Sequence, residues 1–550
     1  MHKLQIFVYK SQGSFHVGLV RHPQHCSDGV MLTPPLPSSQ AYEALKLWES
    51  RLRGKFRLLW WQSAARKYTE RKVEPSFSSD RMHCVEAALD RLKEVLRGRI
   101  LSEHRLVGAL RDEGFWPSDI SWALDLGVQR DELLQFPGFI TAPWGRKICS
   151  RCHSEYSKPV LCLVCGRSDC LLCHACRSMG EHRSCSTLLA LANGGQSGLK
   201  KPRAGLHLQL SHKLTHPQQQ ASEELLKFWK QGTGKALVWA ACGAGKTEVT
   251  FALIRQALRE GGEVLFAIPR QDIVREMTER LRRAFPSVTV ASHYGGQPWH
   301  APGELVVATT HQVLHFYKRF SLAILDEVDA FPYQGNEILR FGLERALLPT
   351  GRLVEMTATP HSLREYKKVI TIPARYHGHP LPEPELVIQD LPAWQTLQPS
   401  EFPPDLLRVL QNGLCRWLVF APTIAACSRL QEVLTEALGK PVGLCHSKVD
   451  DRQQVIQDFM SGRFGVMVTT SVLERGVNFP NVGVIVLYAD HTLFTVSSLV
   501  QMAGRVGRTA DLPDGLVLFV GSRTTAPMKK ALAMIRRLNT EARERGFLRE

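Results

Sequence analysis

The chain lacks any stretch long enough to cross a bilayer. Nowhere in its 550 residues does a run approach the roughly 18 consecutive apolar residues that a spanning helix needs. The most apolar late segment, Val482 to Ala489, is far too short and is expected to form a buried parallel strand. The opening residues MHKLQIFVYK carry no long apolar region and no small-residue cleavage site. No secretory leader is therefore expected, and the chain is expected in the cytosol, where disulfides are disfavoured. Its 14 cysteines then call for another use. Acidic residues are scarce relative to basic ones: 52 Asp and Glu against 69 Lys and Arg leave a net charge of +17. That excess favours a polyanionic partner, nucleic acid above all, although solubility alone also accounts for it.

What remains is a soluble composition in a chain too long for one core, so three or four domains are expected. Residues 1–140 hold no recognisable motif. Within them Gln40–Trp61 and Phe77–Ile100 show helical spacing, and Trp48, Trp60, Trp61 and Trp116 suit core packing better than base stacking. Residues 141–190 form a Cys-rich segment, and 191–213 read as a Gly-, Ser- and Lys-bearing linker. Apolar β-type runs alternate with helical stretches over 214–378 and again over 405–550, separated by Pro-rich residues 379–404. Each half has the pattern of a parallel α/β sheet, and a hinge between them leaves a cleft.

Ala240 to Thr247 (AACGAGKT) follows the strand Ala236–Trp239 and precedes a helical stretch. Strand, Gly-rich turn and helix in that order are what a phosphate-binding loop requires. Gly243, Ala244 and Gly245 let backbone N–H groups curl around phosphates. Lys246 is placed to reach the β- and γ-phosphates of ATP, and Thr247 to hold Mg²⁺ through its hydroxyl. Asp326 and Glu327 end the apolar strand Leu322–Leu325, the sheet edge where ligands bind. Asp326 is expected to hold Mg²⁺, and Glu327 to orient and deprotonate the attacking water. Asp329 is expected to hold a basic group from the other half. Gln218, in Leu214-Thr215-His216-Pro217-Gln218, is a candidate for the adenine edge; a helix N-cap at Thr215 or His216 explains the same residues.

Gln501 to Arg508 (QMAGRVGR) places Gln501 at the nucleotide and two arginines on what is expected to be one helical face. Arg505 and Arg508, with fixed charges and rigid forks, suit a transferring phosphate reached across the cleft. Thr357-Ala358-Thr359 offers small hydroxyls for a hydrogen-bonded relay between nucleotide and nucleic acid. Candidate backbone contacts to a nucleic-acid strand follow other strands: Arg270, Thr309 and Thr310 in the first half, and Thr423, His446, Thr469 and Thr470 in the second. Helix N-capping is the competing role for each Thr. Binding of this kind is independent of base sequence and sensitive to salt.

Eight cysteines cluster at Cys149, Cys152, Cys162, Cys165, Cys170, Cys173, Cys176 and Cys185. Repeated Cys-x-x-Cys pairs match structural Zn²⁺ sites, and eight thiolates suffice for one or two ions. Spacing alone leaves the pairing open, with His153, His174 and His182 as substitutes. A redox role for these pairs is the less favoured alternative.

Together these motifs resemble the ComFA family of late competence proteins. The resemblance rests on the Ala-Cys-Gly-Ala-Gly-Lys-Thr loop, on Asp326-Glu327-Val328-Asp329-Ala330-Phe331-Pro332-Tyr333, on Leu473-Glu474-Arg475-Gly476-Val477 and on Gln501–Arg508. The Cys cluster just before the core agrees with it. It implies an α/β fold of two RecA-like parallel-sheet lobes, a P-loop NTPase core of superfamily 2, preceded by a Cys-rich zinc-binding segment and a mainly helical N-terminal region. It further implies a DNA-dependent ATPase with Lys246, Asp326 and Glu327 as its ATPase residues and Arg475 lining the second lobe. Single-stranded DNA would be the substrate, with a protein partner from the same operon and a membrane DNA channel at the inner face of the cell membrane. Asn478 stands where an Asp is usual, which weakens ribose contact there. Replication-restart helicases of the PriA type also carry eight such cysteines, but within the helicase core. A DNA-binding scaffold with a dead nucleotide fold would have lost Lys246, Glu327 or the arginines. No wedge insertion is visible, which favours translocation over strand separation.

Overall fold

The computed structural model describes 3–11, 14–20, 29–31, 36–37 and 79–549, apart from 143–144, 195–202, 204, 296–301, 334, 414, 476 and 478. The helical expectation for Gln40–Trp61, Trp48, Trp60 and Trp61, and the substitution at Asn478, lie outside these residues.

Seven parallel strands form the first lobe's sheet. Their spatial order is Val290–His293, Leu305–Thr309, Val264–Ile268, Phe320–Leu325, Leu347–Thr357, Gly234–Ala240 and Lys368–Ile372. Val264–Ile268 and Leu305–Thr309 are buried at every position, as strands covered on both faces must be. The second lobe repeats the plan with six parallel strands: Glu385–Ile388, Val517–Gly521, Val482–Leu487, Arg416–Phe420, Val466–Thr469 and Gly443–Cys445. Val482–Leu487 is buried throughout, as expected of that apolar run. Glu385–Ile388 comes from the Pro-rich stretch, so part of that stretch closes the edge of a sheet. An edge is the place in a sheet that tolerates proline neighbours.

The last helix, Ala526–Glu544, straps the lobes together. Asn539 holds both backbone groups of Leu381 at 2.8 and 2.9 Å, and the Arg537 guanidinium lies 4.6 Å from the Trp239 ring of the first lobe.

The N-terminal region contains the helices Ser79–Leu96, Glu103–Asp112 and Pro117–Gln129 around a core that includes Leu89, Leu106, Leu110 and Leu124. Four short antiparallel strands within residues 3–37, which the helical reading did not anticipate, precede them. A small sheet, Ile100–Ser102, Thr187–Leu191 and Leu133–Pro137, closes the helical unit. Thr187–Leu191 is its middle strand, so the Cys-rich segment leaves this unit and returns to it. That segment also rests on the first lobe: Cys149, Cys152, Cys173 and Cys176 share a core with Leu265, Val306 and Leu343, and Arg345 donates to the Ser150 carbonyl at 3.2 Å.

Candidate nucleotide site and zinc sites

The phosphate-binding loop turns at Gly243 and Gly245, whose φ angles of +82° and +67° lie in the left-handed region that glycine enters freely. The helix Lys246–Val249 starts immediately after it. Gln218 braces the loop from below. Its Nε2 donates to the Ala244 carbonyl at 2.8 Å, and its Oε1 accepts from the Thr215 N–H at 2.9 Å within a capping box. Both amide atoms are thus engaged within the protein, and a Cβ on Gly245 would lie 2.4 Å from Gln218 Nε2.

Lys246 Nζ lies 2.7 Å from Asp326 Oδ1, which also accepts from the Glu327 N–H at 2.8 Å. Burial alone would lower the Lys246 pKa; the charges of Asp326 and Glu327 outweigh it and hold the ammonium protonated. Thr247 is buried beside them. Lys246, Asp326 and Glu327, predicted from separate motifs, therefore meet at one point, with Thr247 next in the chain to Lys246. A P-loop hydroxyl and a strand-end carboxylate are hard oxygen donors of the kind that Mg²⁺ prefers.

Asp329 joins the lobes. Its carboxylate accepts from Thr357 Oγ1 and Thr359 Oγ1 at 2.7 Å each, from Ser497 Oγ at 2.5 Å and from Arg475 Nη2 at 2.6 Å. Arg475 Nη1 also lies 3.4 Å from Glu327 Oε2. Burial would raise the Asp329 carboxyl, but the Arg475 guanidinium and the hydroxyls hold it well below the usual carboxylate range. The expected basic partner from the other half is Arg475, and the hydroxyls of Thr357 and Thr359 both bond the same carboxylate. Ser497 is a member that sequence reasoning missed. It sits just inside the helix Val496–Ala503, with no local signal to mark it.

The expectation of one helical face for Arg505 and Arg508 is corrected. The helix ends at Ala503, and both arginines lie in the turn that follows. Gly507, at φ +65°, breaks the helical path, and a Cβ there would strike the Pro513 carbonyl. Arg505 donates to the carbonyls of Glu474 and Val477, and Arg508 to that of Gly504. Burial depresses both guanidinium pKa values. The turn presses on the phosphate loop: Cys242 Sγ lies 3.5 Å from Gln501 Oε1, and a Cβ on Gly504 would lie 2.4 Å from Cys242 Cβ. Gln501 thus reaches the loop through Cys242. Arg375, missed in the sequence, donates to the Gly507 carbonyl, and Tyr376 OH to that of Arg508. Burial pulls the Arg375 guanidinium down to about 10.

The candidate strand contacts divide. Arg270 reaches across to the Arg475 carbonyl at 3.3 Å, and Thr309 and Thr310 are buried side by side after their strand. Thr423 caps a helix by accepting from Ala426 N–H at 3.1 Å. Thr469 donates to the Cys445 carbonyl at 2.8 Å, and Thr470 starts a short 3₁₀ turn. His446 Nδ1 accepts from the Lys448 N–H at 3.3 Å. Arg475 is spent on the Asp329 cluster.

The eight cysteines separate into two interleaved groups: Cys149, Cys152, Cys173 and Cys176, and Cys162, Cys165, Cys170 and Cys185. A tetrahedral ion with bonds of about 2.3 Å to sulfur needs sulfurs about 3.8 Å apart. The first group gives 3.9 Å for Cys149–Cys176 and 3.6 Å for Cys152–Cys173; the second gives 3.7 Å for Cys162–Cys185 and 3.8 Å for Cys170–Cys185. The donor sets therefore fit two Zn²⁺. The histidines are otherwise engaged: His182 with the Gly138 carbonyl, His153 stacked on Phe341 and His174 against Tyr156.

Two parallel-sheet lobes with these motifs across their cleft define a superfamily 2 helicase. Residues 211–362 match the family model described as the type III restriction enzyme res subunit, and 403–510 match the helicase conserved C-terminal domain. The chain belongs to the ComFA family. It is 34% identical over 417 residues to competence protein ComFA of Streptococcus pneumoniae, covering 72% of this chain and 91% of that protein. It is 31% identical over 439 residues to competence protein ComFA of Bacillus subtilis, covering 74% and 91%. Among solved structures, S. cerevisiae Dbp5 bound to RNA and ADP BeF3 aligns with a TM-score of 0.44 at 16% identity, over 61% of this chain and 93% of that one.

Proposed function

We propose that this chain is an ATP-driven translocase on single-stranded DNA that draws transforming DNA into the cytosol during natural competence. The observation that carries it is the Asp329 cluster. An acidic residue two positions from the water-activating Glu327 holds Thr357, Thr359, Ser497 and Arg475, so the nucleotide site and both lobes share one buried hydrogen-bond network. A change at the γ-phosphate is felt in that network without an intermediary.

ATP replaces Asp326 as the partner of Lys246, whose ammonium then lies against the β- and γ-phosphates. Thr247 and Asp326 would hold Mg²⁺, which neutralises charge on those phosphate oxygens when bound. Glu327 takes a proton from the water that attacks the γ-phosphorus, and the bond to the ADP oxygen breaks. Arg505 and Arg508 approach from the turn docked on Cys242; an arginine in that role contributes about 10³–10⁵ in rate. Release of phosphate loosens the lobes, and alternate grip by Arg270, Thr309 and Thr310 on one side and the second lobe on the other steps the strand. Both Zn²⁺ sites would be structural, and the one at Cys149, Cys152, Cys173 and Cys176 would fix the Cys-rich segment on the first lobe. No helix among the described residues is long and apolar enough to cross a membrane. Membership of the ComFA family supports a motor that works with a separate membrane channel at the cytosolic face, together with a partner from the same operon.

The test is ATP hydrolysis by the purified chain with single-stranded DNA, duplex DNA, RNA or no nucleic acid, with Lys246→Ala as control. Strong stimulation by single-stranded DNA, lost in the variant, is expected. Equal rates in all four conditions would refute the motor reading.

A further inference from the structure

A cavity of about 1100 Å³ lies where the N-terminal helical unit, the Cys-rich segment and the first lobe meet. Its floor is the strand-end surface of the first lobe, with Pro269 and Thr309 from the two loops that carry the candidate strand contacts. Its opposite wall is one face of the helix Glu103–Asp112, formed by His104, Arg105 and Gly108. Leu106 and Leu110 of that helix point the other way, into the helical unit's core. The lobe's candidate strand-contact loops thus open into a space with a second wall from outside the helicase core.

We propose that this cavity is a binding channel for single-stranded DNA, in which the strand gripped by the first lobe passes under the helix Glu103–Asp112. The inference rests on the translocase reading and adds a surface that the two lobes do not supply.

Three observations favour a phosphate backbone as occupant. The first is charge. Arg105 projects exposed from the helix, reaching the Met179 carbonyl at 3.3 Å and His315 Nε2 at 3.4 Å. Behind it stand the guanidinium groups of Arg151, on the Gly180 carbonyl at 2.6 Å, and Arg345, on the Leu314 carbonyl at 2.6 Å, while His315 between them is neutral because burial first, and these charges next, push its pKa down to about 3. The acidic groups opposing it are Glu113, engaged by Arg91 at 2.6 and 2.8 Å, and Asp112 at the exposed rim. The second is a ring for stacking. Tyr294 lines the cavity with the Arg275 guanidinium 5.1 Å from its ring centre, a pairing that holds aromatic platforms for bases. The third is room. A volume above the roughly 300–1,000 Å³ of small-molecule pockets suits a polymer segment.

Gly108 offers a direct test, because a Cβ there meets nothing within 4 Å and its φ is ordinary. A longer side chain enters the cavity without clash, and replacing a mid-helix glycine favours the helix. The experiment compares single-stranded DNA affinity of the full-length zinc-loaded protein, its Gly108→Glu and Gly108→Lys variants and Arg105→Ala, over a salt series, with melting temperature as the folding check. Gly108→Glu and Arg105→Ala are expected to weaken binding about five- to tenfold. Gly108→Lys is expected to tighten it and to steepen the log Kd against log salt slope by about one. Wild-type protein that binds single-stranded DNA, with well-folded variants matching it in Kd and slope, overturns the channel and leaves the translocase reading standing. Wild-type protein that binds no single-stranded DNA overturns both.

Discussion

Arg475 of the second lobe donates to the Asp329 carboxylate of the first at 2.6 Å, and both side chains are almost fully buried. Two charges taken from water are stable only while each keeps the other, and removing one partner leaves an uncompensated buried charge. The pair therefore acts as a latch between the lobes. Arg475→Met is expected to lower kcat for ATP at least tenfold while nucleotide affinity falls much less. The loss of lobe–lobe stability is about 3–5 kcal/mol, the usual size for a broken buried pair. A double-mutant cycle with Asp329→Asn, read by kcat and thermal unfolding, checks this. Additive effects would show that the two residues are not coupled.

Gln218 separates two roles by nucleotide choice. As a brace for the Ala244 carbonyl it shapes the phosphate loop, which every nucleoside triphosphate uses. Gln218→Ala is expected to raise KM several-fold for ATP and GTP alike. A loss confined to ATP would place Gln218 on the adenine edge instead.

Arg375 stands between the phosphate loop and the turn that carries the candidate arginine fingers, donating to the Gly507 carbonyl. Two of its guanidinium nitrogens have no hydrogen-bond partner although the side chain is 2% exposed. Arg375→Ala is expected to loosen that turn and lower kcat about tenfold with a smaller change in KM. Arg375→Lys should restore part of the rate. Steady-state kinetics on both variants decides it, and an unchanged kcat would remove Arg375 from the coupling path.

Metal content should be two Zn²⁺ per chain. Cys165→Ser should cost one ion and leave the lobes intact, because its group lies away from the helicase core. Cys149→Ser should cost one ion and also lower the melting temperature, because its group shares a core with Leu265 and Val306. Elemental analysis with thermal unfolding reads both. A chain holding four equivalents, or none, would contradict the interleaved pairing.

His315 predicts an acid limb in stability. Burial first, then Arg105, Arg151 and Arg345, hold its pKa near 3 in the fold, against about 6.5 in the unfolded chain. The neutral form is the folded one, so its contribution is complete above pH 6.5 and is lost as pH falls toward 3. The ceiling on that loss is about 5 kcal/mol, from about 3.5 units at 1.36 kcal/mol each, and partial exposure reduces it. Melting temperatures from pH 7 to 4 should fall more for wild type than for His315→Gln.

Much of the core could be read from local pattern. Lys246, Thr247, Asp326 and Glu327 were placed because each ends or follows an apolar strand, and strand ends on one side of a parallel sheet must converge. The Arg505–Arg508 helix failed on a local rule that was present in the chain. Gly504 and Gly507 each precede one of those arginines; the first caps the helix that ends at Ala503, and the second adopts a left-handed φ that keeps the path from resuming. The short edge strands Val290–His293, Lys368–Ile372 and Glu385–Ile388 were missed because runs of four or five residues carry too little periodicity.

The sequence by itself determined the chemistry of the chain: a phosphate loop, a carboxylate pair, two closely spaced arginines, eight clustered thiols and a basic surplus. Each is a property of residue type at short spacing, which local physics constrains. Tertiary structure alone decided which groups meet. It paired Asp329 with Arg475 across 146 residues, brought Ser497 and Arg375 to the cleft and sorted eight equivalent cysteines into two interleaved tetrads. It also set the helix Glu103–Asp112 over the first lobe's strand ends. Those partners are chosen by how the two sheets and the Cys-rich segment pack, and packing depends on the whole chain at once.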